Sequence, residues 1–207
     1  MLRPDRTRLA CPRIGHNGSV HCLCLDCHCA HQAETHTVRL RYILKGIEAT
    51  NVLGNCVSTV LGPGNLLLLS GDLGAGKTSL TKAIASGLGI EEKEVTSPSF
   101  TIIHEHLGGR LPLIHADLYR LGPPHADITE IGLEEYFDGK NVIIVEWAEY
   151  LKDPLAETAL KMDLVFVDEQ SRKVYLTGKA GIWRERLLLI DDCMKQSYSD
   201  PRFIRKE

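Results

Sequence analysis

Leu66-Leu-Leu-Leu-Ser-Gly71-Asp-Leu-Gly-Ala-Gly-Lys77-Thr78 is the stretch that decides how this chain folds. Its leucines form a short, uniformly apolar run, the pattern of a strand covered on both faces. The run feeds directly into Gly-x-x-x-x-Gly-Lys-Thr, the phosphate-loop pattern. Gly71, Gly74 and Gly76 allow backbone conformations closed to residues with a Cβ, so successive N–H groups can turn into one concavity. That nest, with the positive end of the following helix, holds phosphate oxygens. Lys77 is expected to reach the β- and γ-phosphates and the Thr78 hydroxyl to ligate Mg²⁺. The expected nucleotide contacts along the loop are Asp72, Leu73, Gly74, Ala75, Gly76, Lys77, Thr78 and Ser79.

The flanking sequence continues the same alternation. Val38, Leu40, Tyr42 and Leu44 alternate with polar residues, as a half-buried strand does. Leu53, Val57, Val60 and Leu61 recur at helical spacing until Gly62-Pro63-Gly64 stops that helix. A second helix is predicted over 78–88, with Gly89 as its cap. Strands are predicted at 101–105, 113–117, 142–146, 160–167 and 174–176, with Gly108-Gly109 at hairpin distance between the first two. Further helices are predicted around 128–137 and 183–194. The pattern predicts an α/β fold, a P-loop NTPase-like sandwich whose largely parallel central sheet carries some antiparallel strands and is flanked by helices. This domain spans 37–207, and residues 1–36 form a separate Cys/His-rich extension.

Composition excludes several classes. A net charge of -3 over 207 residues gives no electrostatic reason for extended direct contact with nucleic acid, so any RNA connection must run through a partner or a local patch. No apolar run approaches the roughly 18–20 residues that span a bilayer, and no membrane partner is expected. Five of the seven cysteines (Cys11, Cys22, Cys24, Cys27, Cys29) lie in the extension, leaving Cys56 and Cys193 in the domain. A domain so sparse in cysteine reads as reduced and intracellular. The crowded cluster around Cys24-x-x-Cys27 offers zinc ligands, but reads more readily as a leader or incidental extension. A cytoplasmic location is expected. The early arginines (Arg3, Arg6, Arg8, Arg13) leave a transit peptide, hence a plastid or mitochondrion, as the alternative.

A phosphate loop needs an acid at the end of a neighbouring strand to hold or orient the Mg²⁺ shell. Two strands end that way: Val142-Ile-Ile-Val-Glu146 and Leu113-Ile-His-Ala-Asp117. Asp117, Glu146 and Lys77 are the candidate catalytic groups, and Thr78, Glu146 and Asp117 the candidate metal-site residues. Which acid orients the attacking water stays open. The hydroxyl-rich segment 95–100, with Thr96 and Ser99, suits a switch that senses the γ-phosphate. The guanine-reading Asn-Lys-x-Asp is absent, as is the transporter signature Leu-Ser-Gly-Gly, and the segment 122–139 is acidic where a small-molecule kinase would carry an arginine-rich lid.

Five blocks in one order narrow the reading further: Gly71-Asp-Leu-Gly-Ala-Gly-Lys-Thr78, Thr96-Ser-Pro-Ser-Phe-Thr101, His115-Ala-Asp-Leu-Tyr-Arg-Leu121, Glu130-Ile-Gly-Leu-Glu-Glu-Tyr-Phe137 and Val145-Glu-Trp-Ala-Glu149. Together they resemble the TsaE family, small ATPases needed to make the threonylcarbamoyl-adenosine modification beside the tRNA anticodon. The resemblance implies ATP and Mg²⁺ as cofactors, Asp117 as an essential acid, Glu146 as the Walker B-like acid and Trp147 close to the nucleotide. It implies as partners a threonylcarbamoyl transferase (TsaD-like) and its inactive paralogue (TsaB-like), with tRNA met only indirectly through that complex. ATP turnover would reset the transferase. Ser99 departs from the family's usual Thr, and the cysteine-rich extension has no counterpart in the short bacterial pattern. A small-molecule kinase, or a nucleotide-dependent switch with little hydrolysis, are the alternatives.

Overall fold

The computed structural model describes residues 36–95, 101–122, 127–152 and 157–197, and the backbone of 204–205. The cysteine-rich extension and the segment carrying Thr96 and Ser99 lie outside the described residues. Eight strands form one sheet: β1 (Thr37–Lys45), β2 (Leu66–Ser70), β3 (Ile103–His106), β4 (Leu113–Asp117), β5 (Val142–Glu146), β6 (Leu160–Phe166), β7 (Ser171–Lys179) and β8 (Ile204–Arg205). Their order is β3-β4-β5-β2-β6-β7-β1-β8. The four central strands, β4, β5, β2 and β6, run parallel. The strands to either side pair antiparallel. The structure thus has the expected mixed sheet, with β4 and β5 at the predicted bounds.

Three helices, α1 (Gly46–Thr59), α2 (Lys77–Gly87) and α3 (Ala180–Ser197), bury their apolar sides against one face. Leu53 and Val57 of α1, Leu80 and Ile84 of α2, and Trp183, Leu187 and Ile190 of α3 share one core with Leu67, Leu69, Ile144, Met162 and Val174 of the sheet. The backbones of α1 and α2 touch: a Cβ at Gly54 would run into Ala83. Among the described residues, an apolar layer covers the opposite face over β2, β4 and β5, where Leu66, Leu68, Ile114 and Ile143 meet Leu118, Leu133 and Leu151. β2 is therefore dry on both sides, with Leu66 through Leu69 all buried, as its leucines predict.

Two expectations are corrected. The helix anticipated at 128–137 is a turn followed by a single 3₁₀ turn, Leu133–Tyr136. Gly132 between them has φ 72°, a left-handed conformation that breaks an α-helix. The reduced reading of the domain also changes: Cys56 of α1 and Cys193 of α3 form a disulfide, their Cα atoms 5.7 Å apart. The two cysteines are 137 residues apart in sequence, so only the packing of α3 beside α1 brings them together.

Candidate functional site

β2 ends at Ser70, and the chain turns at once. Gly71 has φ 139°, and a Cβ there would collide with the carbonyl oxygen of Leu164 on β6. Gly76, left-handed with φ 102°, forms the N-cap of α2 without a side-chain cap. The first N–H groups of α2 therefore lack an internal acceptor at the end where the helix dipole is positive. This is the cradle that the glycine spacing predicts.

Lys77 opens α2 and is buried. Its Nζ donates to the carbonyl oxygens of Gly71 at 2.5 Å and Asp72 at 3.0 Å. It also lies 3.6 Å from the centroid of the Trp147 ring. Burial pushes its pKa below the ordinary lysine value, against the opposing pull of Glu149, Glu146, Asp117 and Asp72.

Glu146, the last residue of β5, is 1% exposed. A carboxylate this deeply buried requires donors, and three converge on it. The Thr78 hydroxyl donates to Oε2 at 2.7 Å, while the Thr81 hydroxyl lies 2.9 Å and His115 Nε2 2.8 Å from Oε1. A carboxylate accepts and cannot donate, which places the His115 proton on Nε2; among the described residues Nδ1 is buried with no partner. Asp117 is the register partner of Glu146 across β4 and β5. It is only half buried, and its Oδ1 accepts the Tyr119 N–H at 3.0 Å.

Trp147 follows Glu146 with φ 59°, a strained conformation for a residue with a Cβ. The turn lays its indole beside Tyr119 and Tyr150, with centroids 4.9 Å and 5.4 Å away.

These groups enclose a cleft of about 400 Å³ walled by Lys77, Thr78, Asp117, Glu146 and Trp147, with Leu73, Gly74, Gly76 and Ser79 of the loop completing it. Asp72 turns its carbonyl to Lys77, and Ala75 is buried and lines a second recess of about 290 Å³ on the other side of the loop. That recess lies between Gly46, Ile47 and Thr50 at the start of α1 and Gln170 and Arg172 of the β6–β7 hairpin. Arg172 Nη2 donates to the Gly74 carbonyl at 3.3 Å. His115, Thr81, Tyr119 and Arg172 were not among the expected site residues. His115 had a signal, since it shares a strand face with Asp117 two residues on. Thr81 stands three residues after Thr78, on the same side of α2.

Oxygen donors suit a hard cation such as Mg²⁺. Among the described residues no three His, Cys, Asp or Glu gather into a ready cage.

A strand, a glycine cradle and an uncapped helix N-terminus, set at the carboxyl ends of parallel strands, define a P-loop nucleotide-binding protein. The family model described as "Threonylcarbamoyl adenosine biosynthesis protein TsaE" matches residues 44–174. The chain belongs to the TsaE family. It is 41% identical to the tRNA threonylcarbamoyladenosine biosynthesis protein TsaE of Bacillus subtilis over 131 residues, 63% of this chain and 80% of the relative. The TsaE protein of Treponema pallidum is 36% identical and covered over 98% of its length by 65% of this chain. The crystal structure of Bacillus subtilis YdiB superposes with a TM-score of 0.60 and 31% identity, spanning 79% of this chain and 99% of that one. Among the described residues no helix is long and apolar enough to cross a membrane.

Proposed function

We propose that this protein is a Mg²⁺-dependent ATPase that supports threonylcarbamoyladenosine formation on tRNA by binding and resetting the threonylcarbamoyl transferase (TsaD-like) with its paralogue (TsaB-like). The observation that carries the reading is that Lys77, Thr78, Asp117 and Glu146 line one cleft beside the uncapped start of α2. Backbone N–H groups of the loop receive the phosphates, and Lys77 exchanges its two carbonyl partners for phosphate oxygens. The recess between Thr50, Gln170 and Arg172 suits the base and sugar. Bound at Thr78, with Glu146 and Asp117 around its water shell, Mg²⁺ would offset charge on the phosphates.

The two acids divide the work. Glu146 has both oxygens engaged by three donors, so it fixes Thr78 and the cation shell. Asp117, more open to the cleft, places and deprotonates the attacking water. Adenosine chemistry belongs to the transferase.

The test is steady-state ATP hydrolysis by the purified protein, alone and with the transferase heterodimer. A low basal rate that rises on addition is expected. Asp117→Asn should retain nucleotide binding and lose roughly 100-fold or more in turnover. Rapid turnover without response to the heterodimer, or ADP formation that requires a hydroxylated acceptor, would overturn the assignment.

A further inference from the structure

Among the described residues, the face of β6, β7 and β1 that points away from the helices is basic, with Arg39 exposed and Arg41, Lys161, Lys173 and Lys179 half-buried. Along these strands Leu160, Met162, Leu164, Val174, Leu176, Tyr42 and Leu44 enter the main core, so the alternate residues face the other way. The register sets them in rows: Lys161, Thr177 and Arg39; Asp163, Tyr175 and Arg41; Val165, Lys173 and Ile43; with Lys179 opposite Thr37 beyond them. Five cations thus stand in these rows with one carboxylate, Asp163, among them, in a chain whose net charge is -3; Glu149 shares a recess with Lys161 and Asp163 at the edge toward β2. Burial holds the Asp163 carboxyl above its usual range, against the pull of Lys161 and Arg39. The apolar layer over β2, β4 and β5 takes no side chain from β6, β7 or β1. None of the five cations lines the nucleotide cleft.

The arrangement is ordered. Arg39 Nε donates to the Thr177 hydroxyl at 3.1 Å, and its guanidinium carbon lies 5.9 Å from the centroid of Tyr175. Neighbouring strands lie about 4.8 Å apart, and alternate residues of one strand about 7 Å apart. The cations therefore form a flat lattice rather than a point. Lys179 pairs with the exposed Glu157 at 3.1 Å, and Arg41 and Lys173 make further contacts. An exposed pair such as Lys179–Glu157 is worth about 0–1 kcal/mol and exchanges readily for a denser anion. A flat sheet face carrying cations and an aromatic ring is one way proteins hold single-stranded RNA, with phosphates on the cations and a base against the ring.

We propose that this face, through Arg39, Arg41, Lys161 and Lys173 around Tyr175, is a contact surface for the phosphate backbone of RNA, namely the tRNA after which this family's pathway is named. It goes beyond the ATPase reading and depends on family membership only for the choice of RNA.

The experiment is fluorescence anisotropy of a labelled tRNA transcript titrated with the full-length protein at 50 mM and 200 mM KCl. Binding in the micromolar range that weakens with salt is expected, in the regime of sequence-independent backbone contact. The triple substitution Arg39→Ala, Lys161→Ala, Lys173→Ala should weaken binding about 10-fold or more at 50 mM KCl. It should also flatten the slope of log K against log salt by about two. Exchanging the three cations for one another (Arg39→Lys, Lys161→Arg, Lys173→Arg) should retain binding, and this variant keeps the test sharp if the alanine variant fails to fold. Absence of tRNA binding at 50 mM KCl, salt-independent binding, or parental affinity in a folded alanine variant would each overturn the proposal. So would binding to phosphatidylserine vesicles in place of tRNA. ATP turnover with the transferase heterodimer, read separately, should be unchanged in the alanine variant. Loss of that stimulation in the parent would sink the ATPase reading while leaving this one standing.

Discussion

His115 Nε2 lies 2.8 Å from Glu146 Oε1, with both side chains sealed from solvent. The imidazole comes from β4 and the carboxylate from β5, and Thr81 of α2 closes on the same oxygen. Glu146 is thus held from three sides while its other oxygen faces the Thr78 hydroxyl. Among the described residues His115 reaches the phosphate site through that carboxylate. Its removal should therefore lower kcat by roughly 10- to 100-fold, the usual cost of losing an outer-shell partner, with little change in the nucleotide's Kd. His115→Gln, whose amide can reach the same oxygen, should recover part of the loss. Equal damage from Gln and Ala, or a Kd that rises as much as kcat falls, would assign His115 to packing alone.

Trp147 gives the site its own reporter. Its ring carries the Lys77 ammonium at 3.6 Å, whereas Trp183 is fully buried in the core. If Lys77 turns to phosphate as proposed, the environment of Trp147 should change and that of Trp183 should not. Nucleotide titration should shift intrinsic emission in the parent and leave Trp147→Phe silent. A signal that survives in Trp147→Phe would disconnect this ring from the nucleotide. The contact, worth about 0.5–2 kcal/mol, belongs to the free protein, so Trp147→Ala should bind nucleotide as tightly as the parent or several-fold tighter, and weaker binding would show that the ring touches the nucleotide itself.

At Gly54 two effects oppose each other, and their sizes decide the outcome. Alanine would gain about 1 kcal/mol of helix propensity. Its Cβ, however, would press on Ala83 of α2, backbone included, and overpacking costs typically 1–3 kcal/mol. A rigid backbone cannot yield as a side chain does, so Gly54→Ala should destabilise by roughly 1–2 kcal/mol in urea unfolding. A neutral or stabilised variant would mean that the two helices separate easily.

The parts legible in the sequence were those fixed by local pattern. Residues 113–117 and 142–146 are apolar runs that end in an acid, and both are strands with those bounds. The loop from Gly71 to Thr78 carries its conformation in its glycines. At 128–137 the pattern misled. Ile128, Ile131, Leu133 and Tyr136 have helical spacing, yet they only need to lie on one face of the sheet, and Gly132 breaks the turn. Pairings between distant segments carried no local mark. His115 and Glu146 meet because β4 and β5 run parallel side by side, and the basic face exists only once β1 is set in register beside the β6–β7 hairpin from the far end of the domain.

The Cys56–Cys193 disulfide ties α3 to α1, next to the helix that carries Lys77. Closing a loop of 137 residues restricts the unfolded chain strongly, and links of this kind contribute about 2–5 kcal/mol. For a chain of this size that corresponds to a fall in Tm of roughly 5–15 °C on reduction. Cys193→Ser should melt at the temperature of the reduced parent and respond no further to dithiothreitol. A parent whose melting ignores dithiothreitol would show that the pair contributes nothing to the fold.

Tyr42 and Asp191 couple stability to alkaline pH. The Tyr42 hydroxyl donates to Asp191 Oδ1 at 3.0 Å inside the core, and Lys195 lies 2.9 Å from the other carboxylate oxygen. Burial first, and the Asp191 charge second, hold the phenol well above the ordinary tyrosine range. In the unfolded chain the same phenol ionises near pH 10. Above that value the unfolded state gives up a proton that the folded state keeps, so stability present below about pH 10 is lost as pH rises. Guanidinium unfolding at pH 8, 9.5 and 10.5 should show this fall in the parent. Tyr42→Phe should be weaker by about 1 kcal/mol at pH 8, the worth of one hydrogen bond, because Lys195 still accompanies Asp191. Its stability should fall less steeply above pH 9.5, so that the two curves converge. Parallel curves would mean that the phenol ionises as freely in the folded protein as in the unfolded chain, and the proton would then have to be sought at another tyrosine, with Tyr136 beside Glu105 the next to replace.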